Sequence, residues 1–245
     1  MRPVCLITGA SAGIGAACAL RVAQDGFDVV INYNTDRNGA EAAAQAAKDA
    51  GARCLIVQAN VADPDAIIHM FEQIDTEFGH LDALVNNAGI VGQTARITDL
   101  THDRLRQLFD VNVIGAILVA KAAVERMEPA GKGVIVNISS VAARLGSGNQ
   151  YIDYAATKGA IDTFTRGLAD EVAPSGIRVA AVAPGLIVTD LHAKGGEPGR
   201  AEKLGANTPM QRAGSATEIA NAVSWLLSDQ ASYVTGTILT VSGGR

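Results

Sequence analysis

The chain has 245 residues, 48% apolar and 18% charged, with a formal net charge of −5 at pH 7; this is a globular composition that excludes disordered, collagen-like and coiled-coil chains. Its 20 Lys and Arg stand against 25 Asp and Glu, and it has only one Trp, four Tyr and five Phe. It therefore offers neither a cationic footprint for phosphate backbones nor a stacking platform for bases, and no nucleic-acid partner is expected.

In chain order, short β-rich runs alternate with longer Ala-rich segments of helical spacing. Strands are predicted at 4–8, 28–33, 53–58, 82–86, 133–139, 177–183 and 237–241. Helices are predicted at 13–25, 37–50, 64–78, 102–128, 152–173 and 216–228. Several strands are apolar almost throughout, the mark of strands covered on both faces. The predicted fold class is α/β: one Rossmann-type doubly wound parallel sheet of about seven strands with helices on both faces. No linker or repeat divides the chain, so residues 1–245 read as one domain. The segment at about 190–213 carries Gly195-Gly196, Pro198-Gly199, Gly205 and Pro209; it reads as a lid over a site, with a disordered insertion as the alternative.

Cys5, Cys18 and Cys54 lie in apolar segments without metal-ligand spacing, which suits reduced thiols packed as small hydrophobes. No apolar run is expected to reach the length of a membrane span, and the first residues lack the pattern of a secretory leader, so a cytoplasmic location is expected. His69, His80, His102 and His192 fall in no ligand pattern, and no metal is expected.

The chemistry begins at Thr8-Gly9-Ala10-Ser11-Ala12-Gly13-Ile14-Gly15, where the first strand turns into the first helix. Glycine permits positive φ and close backbone approach there, and the helix N-terminus presents N–H groups to a pyrophosphate. Adenosine-ribose recognition falls on the tip of the second strand, Asn32-Tyr33-Asn34. No carboxylate stands there to reject a 2′-phosphate; Asp36 is equally suited to capping the next helix, and Arg37 can meet a phosphate. NADP(H) is thus expected over NAD(H). Asn86-Asn87-Ala88-Gly89 ends the fourth strand, where open α/β sheets place ligands, though paired Asn also form turns. Asn112 interrupts an apolar helical stretch, which implies either a structural partner or polar work.

Ser139-Ser140 end the fifth strand, and Tyr154 and Lys158 follow at i and i+4 on one helix face. An ammonium about 4 Å from a phenol in partly dry protein supplies roughly the 4 kcal/mol needed to bring its pKa near working pH. Tyr151 has only Ala155 one turn on and is set aside.

Taken together these motifs resemble the short-chain dehydrogenase/reductase family in its compact form, over Val4 to about Gly244. The resemblance implies a cofactor loop of Thr8, Gly9, Ser11, Gly13, Ile14 and Gly15, an adenosine end at Tyr33, Asn34 and Arg37, and adenine contacts at Asn60 and Val61. Asn86, Ala88 and Gly89 would support the cofactor, and Pro184, Gly185, Ile187 and Thr189 would hold its carboxamide. It makes Tyr154 the acid/base and gives Lys158 the nicotinamide ribose and the lowering of the phenol pKa. Ser140 would orient the substrate oxygen, and Asn112 would hold a relay water. Two departures stand out: Asn60 replaces the family's usual Asp, and the Ser140-to-Tyr154 spacing is one residue long, which leaves Ser139 as an alternative to Ser140.

The implied activity is hydride transfer between NAD(P)(H) and a carbonyl or secondary alcohol, with a ketone or 3-oxoacyl substrate expected. A glucose-like sugar 1-dehydrogenase is the alternative, and a non-catalytic cofactor sensor is the alternative of another class. Arg144 reads as a surface residue that could instead meet an acidic substrate. A homotetramer is implied by the resemblance.

Overall fold

The structure, a computed structural model, describes residues 2–189 and 195–245. Seven strands form one parallel sheet: β1 (Val4–Ile7), β2 (Asp28–Tyr33), β3 (Cys54–Gln58), β4 (Ala83–Asn86), β5 (Gly133–Ile138), β6 (Ile177–Pro184) and, last in the chain, β9 (Ile238–Val241). Their order across the sheet is β3-β2-β1-β4-β5-β6-β9. Chain connections leave β1 towards both sides, which opens a crevice at the carboxyl ends of β1 and β4.

Alternate residues of each strand face opposite layers. Cys5, Ile7, Val29 and Ile31 pack under α1 (Gly13–Gln24), α2 (Arg37–Asp49) and α9 (Ala216–Leu227). Val4, Leu6 and Val30 pack on the other side under α3 (Pro64–Glu77), α5 (Ala116–Met127) and α7 (Ile152–Val172). This two-sided burial explains why every residue of β1 is inaccessible. Each fully buried Leu, Ile, Met or Phe contributes roughly 1.5–3 kcal/mol.

The helix expected at 102–128 is present and continuous, but it widens midway. α4 (His102–Phe109) passes into a π-helical segment at Asp110–Gly115 before α5. Gly115 allows the segment to press against β3's exit, since a Cβ there would meet the Val61 carbonyl oxygen at 2.3 Å. Widened turns of this kind recur at functional sites. The run His102–Ala130 also corrects the expectation about membrane-length segments: it contains an 18-residue window of mean hydropathy 1.6. It is a core helix here, with Val119, Ala120, Ala123 and Met127 fully buried against the sheet.

The sequence reading missed the short α6 (Ala142–Leu145) and α8 (Arg200–Gly205), and the two-stranded pairing of β7 (Ile187–Val188) with β8 (Gly214–Ser215). Residues 190–194, with His192 and part of the expected lid, lie outside the described residues.

Candidate active site

Gly9 and Gly13 adopt left-handed backbone, with φ of +62° and +56°. A Cβ on Gly9 would lie 2.9 Å from the Ala88 Cα, so only glycine lets the β1 exit reach the β4 exit. Thr8 and Asn87 stitch the two together. The Thr8 hydroxyl oxygen accepts the Asn87 and Ala88 N–H groups, both at 2.9 Å. The Asn87 amide donates to the Thr8 and Gly9 carbonyls at 2.8 and 3.0 Å. Thr8 and Asn86 are themselves buried, and the Asn86 amide donates to the Ala116 carbonyl at 2.7 Å. The fingerprint thus divides: Thr8, Asn86 and Asn87 shape the turn, while the N–H groups of Gly13, Ile14 and Gly15 remain available.

Those N–H groups carry the test of cofactor fit. The first turn of α1 has no capping side chain and no acidic residue. α2, α3, α4 and α9 are instead capped by Asp36, Asp63, Thr101 and Ser215. An uncapped helix start beside a glycine turn is a preformed seat for a pyrophosphate. Thr189 lies against it, 3.4 Å from where a Gly13 Cβ would stand, and Pro184, Gly185 and Ile187 lead up to it from the end of β6.

At the adenosine end, a cavity of about 550 Å³ is lined by Asn34, Asn60, Ile90, Arg106 and Val111 among others. Asn34 lines it, but the Tyr33 ring packs into the core, so that expected contact moves away from the cavity. Val61 is likewise buried in the opposite core layer. Asp36 is committed to capping α2, accepting from the Gly39 N–H at 2.9 Å. Arg37 forms an exposed i,i+4 pair with Glu41 at 2.7 Å, a bond a phosphate can displace at small cost. The Asn60 amide oxygen accepts the Ala62 N–H at 3.0 Å and its NH2 makes no hydrogen bond among the described residues, which leaves a donor where the family's Asp is an acceptor. A larger cavity of about 720 Å³ lies at the opposite ends of the strands; Arg21–Asp25 and Lys132–Asp82 are paired there, Arg178 donates to the Leu226, Ser228 and Val234 carbonyls, and Asp229 lines it without an ion pair among the described residues.

Tyr154 and Lys158 share a face of α7, with the ammonium 5.6 Å from the ring centre. Ser140 faces the phenol, and its hydroxyl oxygen accepts the Ala142 N–H at 3.1 Å. Lys158 is buried and donates to the Ile138 carbonyl at 2.7 Å. Burial pushes the Tyr154 phenol up to about 12, with Ser140 drawing it down. Burial lowers Lys158 to about 8, opposed by the field of Asp162. In the cofactor-free chain the phenol is set by burial against Ser140, and the Lys158 ammonium, expected to depress it, donates to the Ile138 carbonyl instead.

Ser139 points away from the phenol. It is buried and donates to Asp162 at 2.5 Å, which leaves Ser140 as the serine that faces Tyr154. The Asn112 side chain is committed to structure: its oxygen accepts the Ile90 N–H at 2.8 Å, and its amide donates to the Ile90 carbonyl at 2.9 Å and Thr157 at 3.2 Å. Both hydrogens of that amide are spent, and the side chain ties the chain beyond Gly89 to the π-helical segment. Arg144 is exposed on α6. Among the described residues no cluster of His, Cys, Asp or Glu could hold a metal ion.

Sequence reasoning missed Asp162, whose one available signal is its position one turn beyond Lys158. It also missed the Arg104–Asp153 pair, at 2.6 Å with the Asp153 side chain wholly buried. Asp153 Oδ1 accepts the Tyr154 N–H at 2.9 Å.

The family model described as enoyl-(acyl carrier protein) reductase matches residues 9–245. The chain is 47% identical over 245 residues to the uncharacterized oxidoreductase YgfF of Escherichia coli, covering 99% of each. It is 38% identical over 239 residues to the 3-oxoacyl-[acyl-carrier-protein] reductase FabG of Staphylococcus aureus, covering 98% of this chain and 96% of that protein. Among solved structures, levodione reductase matches with a TM-score of 0.93 and 34% identity, over 98% and 96% of the two chains. A Burkholderia cenocepacia short-chain dehydrogenase in complex with NADP matches at 0.90 with 34% identity, over 99% and 97%. NAD+-bound xylitol dehydrogenase matches at 0.91 with 33% identity, over 99% and 98%. With the seven-stranded sheet, the uncapped glycine turn and the Ser140–Tyr154–Lys158 grouping, these matches place the chain in the short-chain dehydrogenase/reductase family, as an NAD(P)-dependent oxidoreductase acting between carbonyls and alcohols.

Proposed function

We propose that the chain reduces a ketone or 3-oxoacyl-type carbonyl with NADPH, using Tyr154 as proton donor. The observation that carries the reading is the convergence of Ser140, Tyr154 and Lys158 at the end of β5, beside the glycine turn. The nicotinamide supplies the hydride when bound. The pyrophosphate is held by the N–H groups of Gly13, Ile14 and Gly15, with Ser11 at the mouth of the turn, and the 2′-phosphate by Arg37 beside Asn34. Ser140 holds the substrate oxygen against the phenol. Tyr154, protonated at neutral pH, releases its proton to that oxygen as negative charge develops on it. Lys158 steadies the resulting phenolate and binds the ribose, and the clamp of Asn112 on Ile90 keeps the π-helical segment and its water path in place.

Two named relatives bear on the substrate, the 3-oxoacyl reductase and levodione reductase, and both names describe carbonyl reduction. The alternative of a polyol or sugar dehydrogenase is favoured by the likeness to xylitol dehydrogenase. Homotetramer assembly is supported by β9, an unpaired sheet edge, and by the exposed Trp225 and Tyr233 close to it in the chain. A cytoplasmic location suits the unpaired thiols of Cys5, Cys18 and Cys54.

The decisive experiment follows NAD(P)H absorbance with wild type and Tyr154→Phe, as loss of NAD(P)H over 3-oxoacyl thioesters and cyclic ketones and as its formation from NAD(P)+ over sugars and polyols. Turnover of a 3-oxo compound that Tyr154→Phe lacks supports the reading. Turnover confined to sugars favours the second reading, and tight cofactor binding without turnover of any substrate refutes catalysis.

A further inference from the structure

Tyr154, Lys158 and Asp162 stand at i, i+4 and i+8, one row along the inner face of α7. Three consecutive residues at the end of β5 meet them. Ser140 faces Tyr154, the Ile138 carbonyl accepts from Lys158 at 2.7 Å, and the Ser139 hydroxyl donates to Asp162 at 2.5 Å. We propose that Asp162 is a positioning residue of the active site: through Ser139 it fixes the end of β5 against α7, and its carboxylate is the counter-charge that keeps the buried Lys158 ammonium cationic.

Two physical requirements converge on this carboxylate. Ser140 and the Ile138 carbonyl flank Ser139, so a bond that locks Ser139 to α7 limits how far its neighbours can slide along the helix. A hydrogen bond to a charged acceptor is also roughly twice as strong as a neutral one. The second requirement is electrical. Lys158 is removed from water, and what surrounds it is otherwise neutral. The phenol ring of Tyr154 lies on its own helix, the Ile138 carbonyl on β5, and Gly89 with the Asn112 amide oxygen on the β4 exit and π-helical segment. Among the described residues, Asp162 supplies the field that opposes the loss of its proton. An ammonium in a dry site without such a partner loses its charge near neutral pH.

This inference rests on the reading of Tyr154 and Lys158 as the reacting pair, and the test separates the two. The chain has six lysines, few enough for a [13Cε]lysine NMR titration of the cofactor-free protein, with Lys158→Met assigning the signal. Wild-type Lys158 is expected to titrate near 8. Asp162→Asn keeps an oxygen that accepts from Ser139 and removes the charge. It is expected to shift the midpoint down by about half a pH unit or more and to move the pH at which kcat falls in the same direction. Ser139→Ala keeps the charge and loosens the clasp, so kcat is expected to fall severalfold with the titration midpoint in place and KM for NADPH within about twofold.

A Lys158 titration in Asp162→Asn that overlays wild type overturns the counter-charge role, and unchanged kcat in Ser139→Ala overturns the clasp. Should Tyr154→Phe or Lys158→Met keep wild-type turnover, the underlying reading of the site fails instead, whatever the titration shows. Circular dichroism on each variant identifies a loss of fold, and Ser139→Cys, which keeps only a weak donor, tests the clasp where Ser139→Ala does not fold.

Discussion

Lys158 holds its ammonium 5.6 Å from the centre of the Tyr154 ring, one helical turn away, yet gives its closest hydrogen bond to the Ile138 carbonyl. In this geometry burial governs both groups and drives each towards its neutral form: the phenol rises to about 12 and the ammonium falls to about 8. The pair is poised to keep a proton on the phenol at neutral pH, the state that carbonyl reduction requires.

The Tyr154 phenol is expected to ionise well above free tyrosine in the cofactor-free protein. Ultraviolet titration, taken as wild type minus Tyr154→Phe, should show no phenolate from this residue before about pH 11. Since the folded value exceeds the unfolded one, the phenol contributes stability that is complete below about pH 10 and is lost as pH rises towards 12. Tyr154→Phe should also lower kcat at least 100-fold with cofactor affinity retained. A difference spectrum that develops near pH 10 would refute the desolvated phenol.

Lys158 should act in the opposite direction on stability. Its folded value near 8 lies below the ordinary 10.5, so the unfolded chain binds the extra proton between those limits and stability rises across that window. Holding the cation at pH 7 costs roughly 3 kcal/mol at 1.36 kcal/mol per pH unit. Lys158→Met forfeits about 1 kcal/mol for the bond to Ile138, and is expected to be stabler than wild type at pH 7 by about 2 kcal/mol while inactive. Urea unfolding at pH 7 and pH 10 checks both the sign and the loss of the difference at high pH.

Arg104 and Asp153 join α4 to the start of α7, and removing Arg104 leaves the wholly buried Asp153 carboxylate without its counter-charge. Arg104→Ala is expected to cost about 3 kcal/mol, seen as a fall in Tm of roughly 10 °C. The guanidinium also lies flat beneath Gly92, where a Cβ would come within 2.7 Å of it. Gly92→Ala should therefore destabilise wild type and be tolerated in the Arg104→Ala background. Additive losses would count against that contact.

Arg37 is expected to read the 2′-phosphate. Arg37→Ala should raise KM for NADPH about tenfold with KM for NADH within twofold, and Asn34→Asp should shift preference towards NADH by placing a carboxylate at the ribose. Equal effects on both cofactors in steady-state assays would remove the basis for NADP(H) preference.

Much of the molecule was open to inspection in one dimension. Apolar strands such as Val4–Ile7 announce a sheet covered on both faces, because period and burial are local properties of the chain. The glycines at 9, 13 and 15 announce a turn, because positive φ and close approach have few other residues to serve them. Tyr154 and Lys158 are bound to share a helix face by the 3.6-residue repeat. What the fold alone decided was which of the equivalent partners each group meets. Ser139 and Ser140 are adjacent and chemically identical; alternation at the end of β5 turns one towards Asp162 and the other towards the phenol. Asn112 left a structural partner and polar work equally open until folding brought Ile90 and Thr157 to its side chain. The pKa values followed the same rule, since the charge spacing along α7 is written in sequence, whereas the exclusion of water that overrides it arises only when β5, the π-helical segment and α7 close together.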